Sequence, residues 1–226
     1  MLTQLSKIWK FGVSQTIIRW KRLFRHLAVL FHWKSLIPAS DFFDWPIDLL
    51  FYLGDLVYLP EIHMSIILII KPSIRPLTDN EKILVEEWFE DTIEPDAVLI
   101  NDHASVFVRK YAYAFVGYNI INYRDRIETA ILVHELVHVF QFQKFGSVYI
   151  YRALKAQNSK HKYDYGGVTR LVNGLNQGKS LFHYNFEQQA MIIEDYYRMN
   201  HEFQMFSDRY SREVFHTYYN DLKSLA

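Results

Sequence analysis

Residues 130–143 read AILVHELVHVFQFQ, an apolar run with His134, Glu135 and His138 at its middle. Ile131, Leu132, Val133, Leu136, Val137, Val139 and Phe140 cover nearly the whole circumference of a helix, so this element is predicted to be the dry central helix of a globular core. Burying three ionisable side chains there without compensation costs on the order of several kcal/mol, and a divalent cation would supply that compensation. Residues four apart on a helix project the same way, so the imidazoles of His134 and His138 can converge on one ion. Neutral imidazole nitrogen is a good zinc ligand. Glu135 is rotated about 100° from His134, which suits a general base acting on water beside the ion. The competing reading is a pair of hydrogen-bonded core histidines with a glutamate at the helix surface.

Two histidines leave a tetrahedral catalytic site one protein ligand short. The extended H-E-x-x-H-x-x-G-x-x-H form is excluded, because Gln141 and Lys144 stand where its glycine and third histidine would be. The missing ligand is then expected from a second helix, and NFEQQAMIIEDYY, residues 185–197, offers Glu187 first and Glu194 next, with His183 and Asp164 behind them. Glu194 and Asp195 are alternatively partners that orient the histidines, or solvated surface charge. Tyr163, Tyr165 and His183 lie between the two segments as candidate oxyanion donors; in a chain with 16 tyrosines, plain packing competes for each. Of Gln141 and Gln143, only one can share the site-facing side of the helix.

Outward from the motif, Thr78 and Glu81 have capping-box spacing, which predicts a helix to about residue 90 with Ile83, Leu84 and Trp88 buried. Residues 97–100 and 106–123 read as strands, the second broken at Gly117 and alternating through Tyr111, Tyr113 and Phe115. The motif helix is expected over 127–145, stopped by Gly146. A looser region with Gly166, Gly167, Gly174 and Gly178 follows. Asn185 with Gln188 caps a helix to about residue 198, and the tail from His201 is expected to pack as a last helix. The fold class is therefore α+β: mainly helical, with a small β-ribbon before the motif helix and an N-terminal helical extension.

The chain has 226 residues, 50% of them apolar, and a formal net charge of zero. No global field argues for nucleic acid, and the absence of cysteine removes disulfides and thiol chemistry. The charge is uneven. Residues 1–40 hold seven Lys/Arg and no acid, leaving 18 basic groups against all 25 acids in the remainder. Such a basic, Trp-containing segment either docks on an anionic surface, membrane or partner, or lies across the acidic body of its own chain. Residues 41–76 carry Pro46, Pro60, Pro72 and Pro76, which suggests short elements and turns. The expected division is 1–76 as an extension and 77–226 as the main domain. Neither a cleavable signal peptide nor a clean membrane span is recognisable. The expected location is cytoplasmic, or exported without a cleaved signal, with peripheral membrane association open.

HELVH with a downstream helical glutamate resembles the gluzincin branch of zinc metallopeptidases. More narrowly, LTDNEKILVEEWFEDTIEPDAVLI (77–100), AFVGYNIIN (114–122), ILVHELVHVFQFQ (131–143) and NFEQQAMIIEDYY (185–197), in that order, resemble the zincin-like domain found with contractile injection and type VI secretion systems. The resemblance covers about residues 77–198. It implies Zn2+ as cofactor, His134 and His138 as ligands, Glu187 in the third-ligand segment, Glu135 as catalytic base, a protein or peptide substrate, and a link to bacterial secretion or toxin delivery. The alternative is a non-enzymatic scaffold or delivery component that keeps zinc for stability.

Overall fold

The computed structural model describes residues 1–31, 44–104, 113–202 and 208–225. In chain order its elements are α1 (Leu2–Ser14), α2 (Thr16–Phe31), α3 (Asp44–Leu56), α4 (Leu59–Ile70), β1 (Arg75–Pro76), α5 (Asp79–Phe89), β2 (Leu99–Asn101), β3 (Ala114–Gly117), β4 (Ile120–Tyr123), α6 (Thr129–Phe145), α7 (Val148–Gln157), α8 (Gly167–Asn176), α9 (Phe186–His201) and α10 (Arg209–Lys223). The fold is α+β and mainly helical, as the sequence predicts.

Strand order is β1-β2-β4-β3; the central pair β2/β4 is parallel and both outer pairs are antiparallel. Successive strand residues point to opposite faces, and the sheet uses both. Ile100, Ile121 and Tyr123 join Val133, Leu136, Val137 and Phe140 of α6 in the main core. Leu99 and Ile120 point the other way, into a second cluster with Ile8 of α1 and Met64 and Leu68 of α4. α1 and α4 therefore cover the face of the sheet opposite the motif helix, while Phe11 of α1 also packs on Phe142 of α6 and Tyr149 of α7. α6 is buried without a break from Leu132 to Gln143 and packs against α9, where Ala190 is fully buried.

One charged contact holds the N-terminal helices to each other and a second fixes them to α6. Arg19 of α2 is paired with Glu61 of α4 at 2.5 Å, both side chains inaccessible to solvent. Arg22 donates to the carbonyls of Gln143 (2.8 Å) and Lys144 (2.7 Å), which places a cation on the unsatisfied C-terminal end of α6. Gly146 stops that helix at φ 83°, where a Cβ would collide with Asp55, whose carboxylate accepts from the Ser147 amide at 3.0 Å. Three of the basic groups of residues 1–40 are engaged within the chain: Arg19 by Glu61, Arg22 by the end of α6 and Lys7 by Asp96.

The capping box at Thr78 is present, and Glu81 also receives both ends of the Arg75 guanidinium at 2.8 and 3.0 Å. Burial raises the Glu81 pKa, but the Arg75 and Thr78 bonds outweigh it and hold the carboxyl below its ordinary 4.5. A depressed carboxylate contributes its full stabilisation above its unfolded value and loses it as pH falls through the folded value. Glu81→Gln is expected to lower the urea midpoint at pH 7 and to have progressively less effect below pH 4.5, read from midpoints in a pH series.

Several expectations need correction. Ile83 is 58% exposed; Val85 and Phe89 join Trp88 inside instead, with Leu84 partly buried. Residues 44–70 form two full helices rather than short elements. Pro46 and Pro60 sit in first turns, where a missing amide proton costs no helical bond. The loose region contains α7 and α8. Gly166 starts α8 from the left-handed conformation, and Gly174 lies within the helix because the Tyr184 and Tyr218 hydroxyls leave no room for a Cβ. The ribbon is β3 and β4, turned at Tyr118–Asn119, and Tyr111 falls outside the described residues.

Candidate metal centre

His134, Glu135 and His138 are all buried, with 5–7% of each exposed. α9 crosses α6 and delivers Glu187, which is 1% exposed. The Asn185–Gln188 capping box sets that register: it starts α9 so that Glu187 falls in the first turn facing the histidines. Glu187 Oε2 lies 3.5 Å from His134 Nε2 and 3.4 Å from His138 Nε2. One donor atom from each of the three residues fits within a 4.8 Å span.

A metal ion suits this set on three counts. Donors about 2.1 Å from a tetrahedral centre are roughly 3.4 Å apart, which matches both His–Glu separations. Glu187 Oε2 is buried without a hydrogen-bond partner, an orphan that a cation would satisfy. The outer nitrogens of both rings are already engaged. His134 Nδ1 meets Glu194 Oε2 at 3.0 Å and His138 Nδ1 meets Gln141 Oε1 at 2.8 Å. Those oxygens can only accept, so the Nδ1 atoms carry the protons and the Nε2 lone pairs of the neutral rings face the centre.

The electrostatics describe a site built for a cation. Burial works against positive charge at His134, yet the carboxylates of Glu187 and Glu194 outweigh it and push its pKa up to about 10, a pull that favours a cation at the centre, whether a proton on Nε2 or a metal ion on the neutral ring. Burial likewise opposes charge on Glu187, but His138 and His134 hold its carboxyl well below the carboxylate range. Glu135 goes the other way. Burial lifts its carboxyl pKa despite the nearby histidines, and its Oε2 is buried without a hydrogen-bond partner.

The outer supports were less visible in the sequence. Arg198 bonds Glu194 at 2.9 and 3.1 Å and Glu128 at 2.7 Å; its (i, i+4) spacing from Glu194 was the available signal. Gln157 at the end of α7 donates to Glu187 Oε1 at 2.9 Å, and no spacing rule announces it. Gln141 is the glutamine that shares the site, with its amide donating to Phe186 O and Gln189 Oε1. Gln143 turns away, to Glu94 and Asn119. Glu194→Gln is expected to weaken zinc binding about 10- to 100-fold without removing a ligand, measured by competition with a chromophoric chelator.

The remaining candidates separate cleanly. The Tyr163 ring centroid lies 6.0 Å from that of His134; burial, then Glu187 and Glu135, push its hydroxyl pKa up to about 12. It is a neutral donor beside the cluster. Tyr165 donates to Asp195 at 2.6 Å, which occupies both groups. His183 is exposed and accepts from the Ser180 amide, and Asp164 is exposed and accepts from Gly166. Neither Asp164 nor His183 joins the ligand set. No family model, no curated protein and no solved structure matches this chain.

Proposed function

We propose that the chain is a zinc-dependent peptide hydrolase of gluzincin type, with His134, His138 and Glu187 as ligands and Glu135 as general base. The observation that carries this reading is the pair of orphaned buried oxygens, one on Glu187 and one on Glu135. The first suits a ligand. The second has no place in a purely structural zinc site, where a buried carboxylate without a partner is only a cost.

Zinc, when bound, supplies a Lewis acid that polarises a carbonyl and acidifies water. The protein's own groups do the rest. Glu135, its pKa raised by burial, takes a proton from water and returns it to the departing amine. Glu194 and Gln141 hold the two imidazoles in the tautomer that presents Nε2. Of the three candidate donors Tyr163 is the one whose ring lies against a proposed ligand, and its hydroxyl is assigned to charge developing on the carbonyl oxygen.

The test is metal content by mass spectrometry together with cleavage of an unfolded protein substrate, before and after chelation. One zinc per chain with chelator-sensitive cleavage supports the reading. Protein purified without chelator that carries no metal and takes up none overturns it.

A further inference from the structure

Helices α3 and α4 are built inside out. Their buried positions include Asp48, Asp55 and Glu61, while Leu50, Val57, Ile69 and Ile70 are 59–69% exposed. Along α3 the outward stripe is Leu50 and Leu53, continued by Val57 in the turn that follows; along α4 it is Leu59, Ile62, Ile66, Ile69 and Ile70 at helical spacing. α1 packs on α4 and α2 packs on α3, and both add exposed apolar groups of their own: Val13, Ile17, Trp20 and Phe24. Isolated exposed apolar residues are ordinary, but aliphatic stripes along two successive helices, with further exposed apolar groups on the helices packed against them, mark a contact surface.

Charge identifies the partner. All four acids of residues 44–71 turn to partners on their own chain: Asp44 to Lys155 and Tyr151, Asp48 to Arg152, Asp55 to Ser147 and Glu61 to Arg19. Among the described residues of 1–71, no acid is exposed, whereas Lys10, Lys21 and Arg25 are. A cleft of about 470 Å³ at the edge of this layer adds Arg22 and Lys144 to Arg25. A two-fold pairing of this face with itself would set basic groups against basic groups. An anionic lipid surface meets both the apolar stripes and the basic rim.

We propose that the α1–α4 layer docks this protein on one leaflet of an anionic membrane, with the α3–α4 stripes entering the acyl boundary and Lys10, Lys21 and Arg25 on the headgroups. Among the described residues no single helix is long and apolar enough to cross a membrane; only α3 and α4 taken together reach that length and composition. α3 and α4 are bent by 64° at their junction. At 1.5 Å per residue each spans roughly 20 Å, short of a hydrocarbon core of about 30 Å. That geometry suits a shallow seat in one leaflet.

The test is flotation of the full chain with vesicles of phosphatidylcholine alone and of phosphatidylcholine with phosphatidylserine. Binding to the anionic vesicles is expected, weakened by salt. Ile62→Asp/Ile66→Asp/Ile69→Asp should lower it at least about tenfold. Lys10→Ala/Lys21→Ala/Arg25→Ala should lower it roughly fivefold per group removed, on the anionic vesicles only. All six positions are exposed, so circular dichroism and zinc content should match the unsubstituted chain and report an intact fold. Absence of flotation with either vesicle overturns the proposal, as does equal binding by the triple aspartate variant. A dimer in light scattering that the same variant dissolves, without lipid binding, assigns the surface to self-association and overturns it too.

Discussion

Glu135→Gln is expected to cut peptide hydrolysis by roughly 10²- to 10⁴-fold, the usual worth of a positioned general base, with zinc content unchanged. The amide keeps the size of the side chain and cannot take a proton. The substitution also removes a carboxylate that burial makes costly and whose Oε2 has no partner, so the variant should be at least as stable as the parent. Loss of activity with gain of stability separates a catalytic group from a structural one. A variant that retains full activity with zinc bound would remove the base assignment while leaving the ligand set intact. The measurement pairs initial rates on an unfolded substrate with a thermal melt and a metal assay on the same preparation.

The second large effect concerns stability. Arg19→Met leaves Glu61 in an interior where it is wholly inaccessible, and breaking a buried ion pair from one side costs about 3–5 kcal/mol. Arg19 also donates to the Asp55 carbonyl at 2.8 Å, a further group left without its donor. Gly12 shows how closely Glu61 is packed, since a Cβ there would come within 2.6 Å of its side chain. The combined variant Arg19→Met/Glu61→Leu should recover most of the loss, because an apolar pair of similar volume removes both desolvation costs. Urea denaturation of the two variants reads this directly; equal destabilisation by the single and combined variants would contradict it.

The centre of this molecule was legible from its sequence for a specific reason. A helix with no polar face has only one place to go, and two histidines one turn apart on it have few uses besides a metal. Glu187 could be ranked first because the Asn185 cap fixes where α9 begins, and hence which residue occupies its first turn. The supports were hidden because they depend on tertiary placement: Gln157 reaches Glu187 only because α7 folds back along α6. The reading failed most at α3 and α4. Hydrophobic periodicity finds a stripe but not the side it faces, and here the stripe faces away from the protein while the acids face in. The prolines then suggested breaks, where their positions in first turns make them starts.

The grip of Arg22 on the last carbonyls of α6 makes helices α1–α4 one wall of the building. A chain cut to begin at residue 77 would forfeit strand β1, strip the cover from Leu99 and Ile120, and leave the end of the histidine-bearing helix with neither its cation nor the Asp55 carboxylate that anchors Ser147. That wall meets the helix that carries His134 and His138 directly, through Arg22 at its last carbonyls and Phe11 against Phe142.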